Sequence, residues 1–286
     1  MNETLYIPSG SYTLDKETEQ PQIRLGIQGY PKTGKTWSAL TFPNCIVADL
    51  DRGLGAHYGR SDIIVVPFYD GKFCDKLVPR DGIQNPPNRR DAILKWLGTE
   101  AIKITKQQTL VFDGGTSLQN AFHIQYNLNP VISRSSGKVD SFAEWGLKIE
   151  YFGQIVELLK GLSCNVVYLC HEIPDRATDG SLNGQVRPLL SGQFGDQLAS
   201  HFTDWFRQWA VAKPNKEKEQ AFLDKICFGD KELFKEFMQT EGEVIYMWQT
   251  LSDDMSKCGS SSLVGQPKFV LANFSTFAKY KRKIQL

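Results

Sequence analysis

The stretch "IRLGIQGYPKTGKTWS", residues 23–38, decides the fold. A mostly apolar run (23–28) leads into two glycines that bracket four residues, and a lysine and a threonine follow. A continuous apolar run of this kind reads as a β-strand covered on both faces. Residues 35–42 read as a helix that starts directly after it. Gly29, Gly34, Lys35 and Thr36 fit the spacing G-x-x-x-x-G-K-[ST]. The glycines let the backbone turn so that its N–H groups face inward at an anion, and the following helix adds its positive end.

The chemistry expected of such a loop is nucleotide binding, with ATP and Mg²⁺ as the cofactors. Gly29, Tyr30, Pro31, Lys32, Thr33, Gly34, Lys35, Thr36 and Trp37 form the candidate cofactor-binding stretch, with Lys35 and the backbone N–H groups of residues 30–36 expected to hold the phosphates. Lys35 is placed to bridge the β- and γ-phosphates and the Thr36 hydroxyl to ligate Mg²⁺. A metal site of this type needs a second, acidic group. "TLVFDGG" (109–115) supplies Asp113 at the end of an apolar run, as in a Walker B strand. Hydrolysis also needs an oriented water. "CIVADLDRGLG" (45–55) carries Asp49 and Asp51. Two residues apart on a strand they would share a face, and either could reach the γ-phosphate.

Outward from these motifs, strand-like runs alternate with helical patterns. The strands are expected at 23–28, 45–49, 62–68, 109–113, 165–170 and 202–211, and the helices at 35–42, 90–104, 116–126 and 142–162. In the last helix, Phe142, Trp145, Ile149, Phe152, Ile155 and Leu159 recur at steps of three or four and make one apolar stripe. This alternation predicts an α/β domain with a mostly parallel sheet flanked by helices. Residues 82–90, 129–141 and 171–195 read as irregular connections, the last long and rich in Gly, Pro, Asn and Asp. Residues 216–241 read as a helical insertion, either a paired helix covering the sheet edge or a partner-docking arm. Residues 243–249 and 268–274 read as closing strands ahead of a basic tail at 279–283. The expected organisation is an N-terminal extension (1–21), an ATPase core (22–212) and a C-terminal extension (213–286) packed on the core.

Composition narrows the classes. The 286 residues are 41% hydrophobic and 23% charged, with a formal net charge of +1. A basic whole-molecule field is therefore absent, and any nucleic-acid contact must be a local patch. No run approaches the roughly 18 apolar residues that span a bilayer, and the polar N-terminus lacks a signal pattern. A cytoplasmic protein that binds no membrane is expected, in the host cytoplasm if the chain is phage-encoded. The six cysteines form no CxxC pair and read as reduced thiols.

The order of these parts resembles the RecA/RadA-type recombinase ATPases, and within them the short phage-encoded RecA-like proteins classed with single-strand annealing proteins. The resemblance spans residues 22–212 and implies a RecA-like P-loop core. Asp51 falls where that family usually carries a catalytic glutamate, one methylene longer. Gly114 stands where Asp113 is often followed by serine. His171, at the end of "NVVYLCHE", falls at the place of a polar γ-phosphate sensor. The catalytic set so implied is Lys35, Asp51, Asp113 and His171. The resemblance further implies single-stranded DNA held by loops matching 129–141 and 172–192, with Arg134, Lys138, Arg176 and Arg187 as candidate contacts. It implies a homo-oligomer or filament, a cation supplied in trans for which Lys213, Lys216 and Lys218 are candidates, and a single-stranded-DNA-binding protein as a further partner. The segment "LYIPSGSYTL" (5–14) could dock on a neighbour or pack on its own domain. Two other classes stay open at this point: a P-loop kinase of a small molecule, and a nucleotide-gated scaffold ATPase in a replication or packaging assembly.

Overall fold

A computed structural model describes residues 22–69, 89–128, 130–176, 181–190, 195 and 197–281. The strands are β1 (Arg24–Gly29), β2 (Cys45–Asp49), β3 (Ile64–Pro67), β4 (Thr109–Asp113), β5 (Asn165–Arg176), β6 (Leu182–Pro188), β7 (Asp204–Ala212), β8 (Val244–Gln249), β9 (Gly259–Ser260) and β10 (Phe269–Leu271). The helices are α1 (Lys35–Ala39), α2 (Arg89–Thr99), α3 (Gly115–Leu128), α4 (Ser141–Gly161), α5 (Glu219–Lys225), α6 (Lys231–Met238) and α7 (Phe274–Tyr280). The strands join in one sheet of order β10-β8-β7-β1-β5-β4-β2-β3, with β6 paired to β5 and β9 to β7. From β7 to β3 every pairing is parallel, and β8 and β10 close the other end antiparallel. This is the expected α/β core, a mostly parallel sheet flanked by helices.

Alternation along the central strands sends side chains to two different cores. Leu110, Phe112, Val166 and Tyr168 pack under Leu97 of α2, Leu118 of α3 and Phe152, Ile155 and Leu159 of α4. Ile27, Val111, Leu169, Phe206 and Trp248 pack under Ala39 of α1 and Phe277 of α7. The start of β1 is tied to the end of α4. Arg24 donates to the carbonyls of Lys160 and Leu162, which the helix end leaves without internal partners, and to that of Cys164 just beyond.

Three expectations change on contact with the structure, and one open alternative is decided. The connection expected at 171–195 is largely a β-hairpin: β5 continues through His171 to Arg176 and pairs antiparallel with β6, Ile173 opposite Arg187. Helix α1 has only five residues, so its dipole contributes little to an anion at its start. The stripe on α4 is buried only from Phe152 onward. Phe142 is 88% exposed and Ile149 is exposed as well. The insertion at 216–241 is a helix pair, α5 and α6, whose Phe222, Leu233 and Phe237 pack on Ile245, Met247, Phe269 and Leu271. It covers the sheet rather than reaching away from it.

The N-terminal extension 1–21 with its docking segment, the connection at 82–88, Cys74 and the tail beyond Lys281 lie outside the described residues. The other five cysteines are buried and free. Among the described residues no helix is long and apolar enough to cross a membrane.

Candidate nucleotide site

The site forms at the C-terminal ends of β1, β4 and β5, where crevices open in a parallel sheet. The turn after β1 is built by two left-handed residues, Lys32 (φ 66°) and Gly34 (φ 81°). The Thr33 hydroxyl donates to Tyr30 O at 2.8 Å, which stiffens the turn. Lys35 folds back under it, and its Nζ donates to Gly29 O and Tyr30 O, each at 2.8 Å. A third contact, at 3.3 Å, is to His171 Nδ1. An ammonium has only donors, so Nδ1 accepts and the ring proton sits on Nε2. Burial, and then the Lys35 charge, push the His171 ring below its ordinary range, which keeps it neutral. The His171 backbone N–H is held by Thr116 Oγ1 at 3.1 Å, so α3 steadies β5 at this residue.

Thr36 Oγ1 donates to Asp113 Oδ2 at 2.9 Å. Burial pushes the Asp113 carboxyl up to about 6, with Asp49 and Asp51 adding to the rise and the Thr36 bond and Lys35 opposing it. Three acids crowd one corner, and a cation there would relieve them. Among the described residues no cluster of three or more His, Cys, Asp or Glu could cage a metal alone. One hydroxyl and one carboxylate suit Mg²⁺, which keeps waters and takes its other ligands from phosphate oxygens.

The two acids after β2 do different things. The strand ends at Asp49, so Asp51 lies beyond it and the pair shares no strand face. Asp49 is buried, and its Oδ1 accepts the N–H groups of Asp51 (3.0 Å) and Arg52 (2.9 Å), which fixes the turn. Asp51 is exposed beside Gly114. A Cβ on Gly114 would fall 2.9 Å from Asp51 Oδ2, and Gly114 has φ 108°, so a serine does not fit. The Asp51 carboxylate fills the space that a side chain at position 114 would take.

Several supporting residues escaped the sequence reading. Tyr246 of β8 lies against Gly34, and Ser38 Oγ donates to Gln208 Oε1 of β7 at 2.9 Å. Behind His171, on the other face of the sheet, Glu172 takes Arg207 in a buried two-pronged ion pair at 2.9–3.1 Å. Charged residues inside apolar strands, as in "CHEI" and "WFRQW", are the signal that could have found it, because buried charges are paired. Of the remaining candidates, Arg134 and Lys138 are exposed in the 130–140 turn and Arg176 ends β5. Arg187 is held by Asp175 at 3.0 Å and by Leu190 O at 3.0 Å. Lys213 donates to Met238 O and Thr240 O at the end of α6, while Lys216 and Lys218 are exposed.

Gly34 gives a direct test of the cradle. A Cβ there would meet the Tyr246 ring at 2.5 Å, on a backbone that already disfavours it. Gly34→Ala is expected to lose about 1–2 kcal/mol from the left-handed backbone alone, with a further loss from the clash. Nucleotide affinity should fall at least about tenfold. Denaturation and nucleotide titration of G34A and of G34A/Y246A check this: the double variant should recover only the clash.

A family profile described as "AAA domain" matches residues 22–209. No curated protein matches the sequence. Similar solved structures include a prototypical ATPase from the type III secretion system of pathogenic bacteria. That match has 12% identity and a TM-score of 0.37, covering 70% of this chain and 53% of that one. Another is the assembled ATPase EscN from the type III secretion system of enteropathogenic E. coli. It has 13% identity and a TM-score of 0.36, covering 70% of this chain and 44% of that one. The chain thus spans about half the length of these structures.

Proposed function

The chain belongs to the AAA domain family, and from that premise we propose that it is a magnesium-dependent ATPase whose turnover is coupled to single-stranded DNA, in the manner of the RecA-like annealing and recombination proteins. The observation that carries the ATPase reading is the convergence of Lys35, Thr36, Asp113 and His171 at the mouth of β1.

The residues divide the work. Backbone N–H groups of the 30–36 loop hold the phosphates, and Lys35 exchanges its two carbonyl partners for phosphate oxygens. Thr36 and Asp113 hold Mg²⁺. When bound there, the metal would supply charge neutralisation for the phosphates. Asp51, exposed and close to Gly114, accepts a hydrogen bond from the attacking water and orients it. Asp49 is occupied with its turn. His171 donates Nε2–H to the γ-phosphate. Because β5 runs without a break from His171 into the hairpin with β6, a shift of His171 on phosphate loss moves that hairpin. Arg134, Lys138 and Arg176 then contact the DNA backbone, and Arg187 joins them by releasing Asp175. Neighbouring copies in a filament contribute Lys216 or Lys218 to the nucleotide, and a single-stranded-DNA-binding protein hands over the strand.

The test is ATP turnover with and without single-stranded DNA, in the parent, Asp51→Ala and the double variant R134A/K138A. DNA should stimulate the parent. Asp51→Ala should lose about 10²-fold in rate. The double variant should bind labelled oligonucleotide with a log affinity–log salt slope shallower by roughly 1.4, at about 0.7 per single-strand phosphate contact. Turnover indifferent to DNA would point to phosphotransfer, and binding without turnover to a nucleotide-gated scaffold.

A further inference from the structure

The sheet order orients the triphosphate. His171, Asp113 and Asp51 lie on β5, β4 and the turn after β2, all to one side of β1. They mark the γ end. A nucleotide lying along the loop must therefore send its nucleoside to the other side, toward β7 and β8. Two aromatic side chains meet there. Tyr246 of β8 lies with its ring edge on Gly34. Trp37, directly after the candidate metal ligand Thr36, packs on Tyr246 with ring centroids 5.4 Å apart and planes 35° from parallel.

Trp37 differs from its neighbours on α1. Lys35, Ser38 and Ala39 are buried, whereas Trp37 is 47% exposed. A large apolar ring half in water beside a polar loop is costly unless something covers it. The ring is also held in place: Tyr246 backs it, and β8 is pinned in the sheet between β7 and β10. A rigid indole with one free side at the nucleoside end of a phosphate loop is a base-stacking surface.

We propose that Trp37, backed by Tyr246, is the platform on which the base of the nucleotide stacks. This rests on the nucleotide-binding reading above and adds the group that holds the base. Stacking engages the flat face common to all bases, so the platform supplies affinity for the nucleoside half of the ligand. The phosphate half depends on Lys35, Thr36 and the loop.

Titration of the full chain with Mg·ATP and with Mg·tripolyphosphate, which lacks the base and ribose, separates the two halves. Trp37→Ala should weaken ATP about tenfold, in line with the loss of one base–aromatic stack. It should leave tripolyphosphate within about twofold, and Trp37→Phe should keep most of the ATP affinity. In the parent, ATP should quench part of the indole emission, tripolyphosphate should not, and the ATP-dependent quench should vanish in Trp37→Phe. That last readout does not depend on the alanine variant folding well. Equal weakening of both ligands in Trp37→Ala would overturn the proposal by making Trp37 a support of the loop, and so would unchanged ATP affinity. If the parent bound neither ligand, the phosphate loop itself would be refuted. If it bound both and the indole did not respond, only the platform would fall.

Discussion

Lys35→Ala is expected to lower ATP turnover by at least about 10²-fold while the melting temperature stays within a few degrees of the parent. The two halves of this expectation have separate causes. Lys35 is nearly buried, and its three partners, two loop carbonyls and a neutral imidazole, all accept from it. Desolvation holds its ammonium below the ordinary range. The apo protein therefore keeps a charged group where charge is unfavourable, offset by hydrogen bonds that a triphosphate would replace. Removing the side chain relieves the desolvation and strands two carbonyls, effects that oppose each other. The phosphates lose a charged donor with nothing in exchange. Lys35→Arg should not rescue, because a planar guanidinium does not fit a site shaped for a point donor under the turn. Phosphate-release assays beside calorimetry give both quantities. Undiminished turnover would mean that the lysine never leaves Gly29 and Tyr30.

Much of this site could be read from the chain because its parts are local. The apolar run into Gly29, the Lys35–Thr36 pair and the run ending in Asp113 each declare themselves within a few residues. Even the closing strands near 244–249 and 269–271 follow from apolar runs. What the sequence concealed depends on partners far along the chain. The hairpin of β5 and β6 was hidden because its glycines, prolines and asparagines read as loop. Its strand character comes from pairing, Pro174 against Val186, rather than from propensity. On α4 the periodicity of Phe142 and Ile149 matches that of Phe152, yet periodicity does not say where the covering partner stops. Asp49 and Asp51 misled for a related reason: the share-a-face argument requires the strand to continue, and Asp49 itself ends it by capping the turn. Ser38 and Gln208, whose contact steadies the phosphate loop, are 170 residues apart.

Glu172→Ala should be among the most destabilising single changes in the core, costing about 3–5 kcal/mol. Against a typical total of about 5–15 kcal/mol, that is a shift in melting temperature on the order of 10 °C. The side chains of Glu172 and Arg207 are only 1% and 3% exposed. Arg207 lies 4.1 Å from the Trp209 ring centroid, and its Nη1 already lacks a partner. Removing the carboxylate leaves a buried guanidinium with no counter-charge. The ion pair itself is no large source of stability. Burial outweighs Arg207 and holds the Glu172 carboxyl above its ordinary range, so the folded chain is a poorer host for the ionised acid than the unfolded one. The cost thus arises from separating the partners, and E172L/R207M, which removes both, should melt closer to the parent than either single variant. A strained core alone would not give that ordering. Activity supplies the second discriminator. Glu172 projects to the face of the sheet opposite His171, Lys35 and Asp113, so turnover per folded molecule should fall far less than in Lys35→Ala. If E172A melted with the parent, water would have to reach Arg207. If it stayed folded but lost turnover as completely as Lys35→Ala, the acid behind His171 would belong to the catalytic machinery rather than to its support.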